Sequence, residues 1–129
     1  MSIGYYGYSK EISFIFPQDD FKISADKDLL EMLFSNFIAN AIDAIELDDN
    51  EDGVIEIIYK CDKKYHVFHI YDTGVDIESE QDLFEAFKST KVKGNGLGLT
   101  LCRQIAEAHN GSVNILKSQR KCFEIKISI

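Results

Sequence analysis

Three stretches of this chain set out residue types that can do chemistry together. Gly94-Asn95-Gly96-Leu97-Gly98-Leu99 places three glycines at alternate positions at the head of an amphipathic segment. Asn36 and Asn40 stand four residues apart in an apolar segment, with Asp43 three further on. Asp72-Thr73-Gly74 closes an apolar, strand-like run. Glycines admit positive φ and let a ligand approach the backbone closely. A helix starting there aims free N–H groups and its positive dipole end at an anion. Uncharged amide oxygens suit a hard cation such as Mg²⁺, which takes few protein ligands and fills its shell with phosphate oxygens and water. A strand-end carboxylate can accept from an exocyclic amine such as that of adenine. A cradle for phosphates, oxygens for a metal and an acceptor for a base together suggest a nucleotide site.

Each feature has a plainer alternative. A polar stripe on a helix is commonly its solvated face, but this one is short and uncharged, where such faces are rich in Lys and Glu. Asp before Thr-Gly is often a turn former. A glycine-rich stretch can be a flexible loop, though that leaves its interleaved leucines and the following helix unexplained. The spacing is not that of a Walker loop, because no Gly-Lys-Ser/Thr follows. Nor is it the dinucleotide fingerprint, because Leu99 stands where the last glycine belongs. Lys88, Lys91 and Lys93 crowd the approach to the turn and suit a polyphosphate, or an exposed basic loop. His66 and His69 have opposite parity on a strand, which argues against a metal pair; with His109 they read as surface or core residues.

The elements that must position these residues follow from periodicity. Ile12 to Phe16 alternates and reads as a strand closed by Pro17, and Phe21-Lys22-Ile23 reads as a short second one. Asp26 or Asp28 can cap a long helix running to about Leu47, with Leu30, Leu33, Phe34, Phe37, Ile38, Ala41 and Ile45 as its buried face. Val54 to Tyr59 and Tyr65 to Tyr71 read as an antiparallel pair after the acidic loop at 48–53. A brief helical stretch is expected around Asp82 to Phe87, and a second long helix from about Leu97 to His109. Asn110-Gly111-Ser112 fits a glycosylation sequon but reads better as a helix stop. Ser112 to Leu116 and Cys122 to Ile129 close the chain as strands joined by a charged turn. The expected fold class is α/β, a mixed sheet with helices packed on one face.

The 129 residues suffice for one domain with a real core. A net charge of −8 argues against nucleic acid or an anionic membrane as the main partner, since both need basic patches. No apolar run approaches the roughly 18 residues of a membrane span. Residues 1–11 read as a lead-in or the remnant of a preceding domain, without the apolar stretch of a signal peptide. Cys61, Cys102 and Cys122 form no CxxC pair, and an odd count reads as reduced thiols in a cytoplasm.

Four ordered segments resemble the catalytic, ATP-binding domain of bacterial sensor histidine kinases, in the superfamily shared with DNA gyrase, Hsp90 and the MutL proteins. The run from Leu33 to Ala44 resembles the N box, and Asp72 to Ile77 the first glycine box. Leu83 to Lys91 resembles the F box, and Gly94 to Leu99 the second glycine box, with Ala108 to Ser112 as its usual sequel. The resemblance covers roughly residues 12–129 and implies a two-layer α/β sandwich of the Bergerat type, a mixed sheet with about three helices on one face. It implies ATP and Mg²⁺ as cofactors, and Asn36 and Asn40 as the catalytic residues. Asn40 would ligate Mg²⁺ and Asn36 would sit by the phosphates. Asp72 would bond the adenine amine, and Gly74 would let the base approach. Gly96 and Gly98 would cradle the phosphates, and Phe84 and Phe87 would anchor a lid. Asp43, Ile77, Lys91, Gly94, Leu97 and Leu99 would complete the nucleotide's surroundings.

Two details refine the class. ATP-hydrolysing relatives place a Glu four residues before the metal-binding Asn, whereas here that residue is Asn36. A base to activate water is therefore missing, which favours phosphoryl transfer to a protein side chain. None of the three histidines lies in a helical His-Glu/Asp context, so the phosphoacceptor histidine is expected on a separate dimerisation domain, in cis or in trans, with a response regulator downstream. The chain is expected to be monomeric in isolation. The sequence also departs from the pattern: Asp76 replaces the second glycine of the first glycine box, the lid is very short, and the glycine before the last strand is absent. The alternatives are a non-catalytic nucleotide-binding regulatory module and an anti-sigma-type serine/threonine kinase.

Overall fold

A computed structural model describes residues 2–5, 11–18, 20–48, 52–75, 98–117 and 121–129. The first long helix, α1, runs Lys27–Leu47. Its N-cap is Asp26, in extended conformation, whose carboxylate accepts the Leu29 N–H at 3.0 Å. That satisfies one of the orphan donors of the first turn. Leu33, Phe37, Ala41 and Ile45 recur at helical spacing and are buried, with Leu30, Phe34 and Ile38 packed partly against them. The second helix, α2, runs Gly98–Ala108. It ends where the sequence stops it: Asn110 takes φ 55°, Asn110 N donates to Glu107 O, and Gly111 N donates to Ala106 O. These two bonds make a Schellman cap.

Among the described residues six strands form one sheet: β1 (Ser2–Tyr5), β2 (Glu11–Ile15), β3 (Asp52–Cys61), β4 (Tyr65–Asp72), β5 (Ser112–Lys117) and β6 (Lys121–Ser128), in the order β1-β2-β3-β4-β6-β5. Among these six, β2 and β3 pair in parallel, as expected of two strands joined through α1, and the other neighbours are antiparallel. The sheet is therefore mixed, and α1 and α2 are the two helices among the described residues. Both pack on the face carrying Ile12, Phe14, Ile55, Phe68, Ile70, Phe123, Ile125 and Ile127, which form the core.

Two local expectations need correction. Phe21-Lys22-Ile23 forms no strand. The Phe21 ring stacks on Tyr59 at 4.0 Å and meets Phe68 edge-on, so the segment is held by side chains and not by backbone pairing. Three alternating residues are too few to fix a register against competing aromatic contacts. Residues 2–5, expected as lead-in, pair antiparallel with β2 as an edge strand. The helical stretch expected around Asp82 to Phe87 lies outside the described residues.

The three cysteines are free, Cys61 exposed and the other two buried. Cys102 lies between the helices with Sγ 3.5 Å from Leu33 O. Burial pushes its thiol from an ordinary 9.0 up to about 12, so the folded state holds the proton more tightly than the unfolded chain. Its stabilising contribution is present below pH 9 and is lost as pH rises toward 12. At neutral pH a thiol reagent should label Cys61 in the native chain and reach Cys102 only in denaturant. Fast native labelling of Cys102 would contradict this packing.

Candidate nucleotide-binding site

The site is assembled by the way α2 runs back along α1. Asp26 N, at the start of α1, donates to Nε2 of His109 at 3.1 Å, while Nδ1 of the same ring faces Ile105 O at 2.8 Å. A carbonyl accepts only, so Nδ1 carries the proton and Nε2 is the acceptor. Cys102 meets Leu33 O seven residues away along each helix. The helices are therefore antiparallel, and continuing the same register brings the α2 N-terminus at Gly98 alongside Phe37. Asn36 and Asn40 flank that position. The positive end of α2 thus lies level with the two asparagines.

The asparagines are not a solvated stripe. Asn36 is 4% exposed and Asn40 is half-buried. Asn36 Nδ2 donates to Met32 O at 2.8 Å, and Asn40 Nδ2 donates to Asn36 O at 2.9 Å. With each Nδ2 turned onto the preceding helical turn, Oδ1 is the atom each amide can offer a cation. Asp43 follows, half-buried, on the same helix. Among the described residues no group of three or more His, Cys, Asp or Glu gathers into a metal cage. Amide oxygens near a helix N-terminus instead fit a cation that brings its own phosphate ligands.

Asp72 ends β4 at the other side of α1. Its Oδ1 accepts from Gly74 N at 2.9 Å, so the plain turn-forming role is present. The turn docks on the helix: Val75 N donates to Ala44 O at 3.0 Å. Gly74 lies so close that a Cβ there would meet the Ala44 carbonyl and stand 2.5 Å from Ile45 N. The bare Cα is thus needed for strand–helix packing, whatever else it admits. Gly74→Ala should force the backbone apart and cost about 1–3 kcal/mol or more. An unchanged unfolding midpoint would show that the turn can withdraw from α1 without penalty.

Sequence reading missed Lys121. Its Nζ lies 3.1 Å from Asp72 Oδ1 and donates to Val75 O at 2.9 Å. Both side chains of the ion pair are buried, 6% and 1% exposed for Lys121 and Asp72. The signal was available in strand parity. Phe123, Ile125 and Ile127 face the core, so Lys121 two residues earlier shares their face. The pairing of Tyr71 with Cys122 sets Lys121 opposite Asp72. The charged run at 117–121 disguised it as part of the turn.

The structure therefore brings Asn36, Asn40, Asp43, Asp72 and Gly74 to α1 and its flanks, with the backbone of Gly98 and Leu99 at the head of α2. Ile77, Phe84, Phe87, Lys91, Gly94, Gly96 and Leu97 lie outside the described residues, as does Asp76. The histidines take the structural roles expected. His66 is buried against the Tyr59 hydroxyl at 2.7 Å, and His69 pairs with Glu124 at 3.0 Å on the opposite face.

Comparison with known proteins decides the family. Residues 25–129 match the family of histidine kinase-, DNA gyrase B- and HSP90-like ATPases. The chain belongs to that family. Within this ATPase family it is 46% identical over 123 residues to the sensor histidine kinase FlgS of Helicobacter pylori, covering 95% of this chain and 32% of FlgS. It is 32% identical over 96 residues to the histidine kinase AtoS of Escherichia coli, covering 72% of this chain and 15% of AtoS. The chain thus spans about a third or less of the length of these relatives. The catalytic domain of histidine kinase ThkA superposes with a TM-score of 0.72 at 28% identity, covering 91% of this chain and 80% of that one. ThkA has also been solved in complex with the response regulator TrrA. Among the described residues no helix is long and apolar enough to cross a membrane.

Proposed function

We propose that this chain is the ATP-binding catalytic domain of a two-component sensor histidine kinase, spanning at least residues 12–129 and acting in the cytoplasm. It donates the γ-phosphoryl of ATP to a histidine on a separate helical dimerisation domain, which in turn serves a response regulator. The observation that carries this reading is the antiparallel seating of α2 on α1. It sets a helix N-terminus level with Asn36 and Asn40, while the turn after Asp72 docks near the end of the same helix. A triphosphate near the α2 N-terminus and a base at Asp72 then lie along one helix.

The residues fit the roles that the family resemblance implies. Asn40 Oδ1 would hold Mg²⁺, which neutralises phosphate charge during transfer. Asn36 sits one turn back, beside the phosphates. Its amide has no basic site at neutral pH and cannot deprotonate water, which favours a protein acceptor over hydrolysis. Asp43 completes the polar edge of α1. Asp72 accepts from the adenine amine, and Gly74 enters from the resemblance, its bare Cα already being taken up by α1. Ile77, Phe84, Phe87, Lys91, Gly94, Gly96 and Leu97 enter the proposal from the resemblance alone.

Nucleotide titration tests this reading. ATP should bind in a Mg²⁺-dependent manner and should outcompete GTP by roughly ten-fold or more, because an unpaired buried acceptor costs about 1–3 kcal/mol. Equal competition by GTP would remove Asp72 from base recognition.

A further inference from the structure

The buried pair of Lys121 and Asp72 has a consequence for how the base is read. Its value does not lie in stability, because a buried ion pair does little better than a well-packed apolar pair of the same volume. What it provides is a carboxylate held in one orientation beside a fixed ammonium. Two donors converge on Asp72 Oδ1, the Lys121 ammonium at 3.1 Å and the Gly74 N–H at 2.9 Å. Lys121 is itself fixed by donating to Val75 O at 2.9 Å. The chain is thereby clamped on both sides of the turn, at Asp72 and at Val75. With both donors on Oδ1, the carboxylate is fixed in orientation.

We propose that Lys121 is the positioning residue of the base pocket, holding Asp72 as an oriented acceptor for the 6-amino group of adenine. This rests on the assignment of Asp72 to the base. Lys121 acts through Asp72 and does not touch the transferred phosphoryl. The pairing has a corollary for Asp72→Asn. Lys121 and the Gly74 N–H both demand an acceptor, so the amide must turn its oxygen toward them. Its NH₂ then occupies the remaining direction, where it meets the amine of adenine donor to donor.

The test is a cycle between protein and ligand, using ADP and purine riboside diphosphate, which lacks the 6-amino group. The wild-type chain should prefer ADP by roughly ten-fold. Asp72→Asn should abolish that preference. Lys121→Met should reduce it to about three-fold or less, chiefly by weakening ADP and leaving the amine-free ligand nearly unchanged. Lys121→Gln, which keeps an N–H donor without charge, should fall between and carries the test if Lys121→Met fails to fold by circular dichroism. If the wild type binds both ligands equally, or Asp72→Asn retains the preference, the base assignment of Asp72 fails. If those two behave as expected but both Lys121 variants keep the full preference, the role of Lys121 is overturned. It is equally overturned if they weaken both ligands by one factor, as a merely structural lysine would.

Discussion

Asp72→Ala should lower the stability of the folded chain by about 3–5 kcal/mol, because removing one partner of a buried pair strands the other charge. Lys121 would be left 9% exposed without its carboxylate, and the turn would lose its Gly74 N–H bond. Domains of this kind are stable by only about 5–15 kcal/mol in total. A loss of this size should move the thermal midpoint by roughly 10–20 °C for a chain of this length. Replacing both partners, Asp72→Leu with Lys121→Met, should recover most of it, since no buried charge then remains. A change below about 1 kcal/mol for Asp72→Ala would show that water reaches the pair. The substitution is consequently a poor probe of base recognition by itself, and Asp72→Asn, which keeps an acceptor for Lys121, is the cleaner one.

Asn40→Ala should give the opposite profile, a folded chain that has lost its metal-dependent affinity. Its Nδ2 bond to Asn36 O contributes about 0.5–1.5 kcal/mol, and part of that is offset by the higher helix propensity of Ala. Loss of a contact to a charged centre costs about 1.5–3 kcal/mol, or roughly ten- to a hundred-fold in Mg²⁺-ATP affinity. Binding without Mg²⁺ should change little. A folded Asn40→Ala chain that binds Mg²⁺-ATP as tightly as wild type would remove this residue from the metal.

Much of the fold was legible because the relevant signals are local. The α1 core face could be read from Leu33, Phe37, Ala41 and Ile45, and its cap from Asp26. The end of α2 followed from Asn110-Gly111, which satisfy the last carbonyls in the structure as the residue types suggest. The antiparallel β3–β4 pair followed from alternation and a short connection. What the sequence hid depends on contacts distant along the chain. Ser2–Tyr5 carries no strong alternation, and its strand exists because β2 offers an edge. Phe21 reads as a strand residue until Tyr59 and Phe68 claim its ring.

The site divides the same way. Asn36, Asn40 and Asp72 were visible by residue type and spacing, and the structure adds how their amides and carboxylate are oriented. Gly74 reads from the sequence as a place of close ligand approach, whereas its close contact in the structure is with the α1 backbone. Lys121 was invisible because its partner lies 49 positions earlier, and only strand register brings the two together. His109 reads as an unremarkable helix-end residue, yet its ring ties the α2 C-terminus to the start of α1 and so sets where the α2 N-terminus points.

Phosphoryl donation to a histidine outside these residues can be followed directly with γ-labelled ATP and Mg²⁺. The chain should be incubated alone and then with a helical domain bearing an acceptor histidine, added in trans or fused ahead of residue 1. Slow ATP turnover and no stable label are expected on the chain alone, and acid-labile label on the helical domain once it is supplied. Stable label on the chain alone would contradict that donation, and acid stability of that label, as in phosphoserine, would point to the serine kinase class instead.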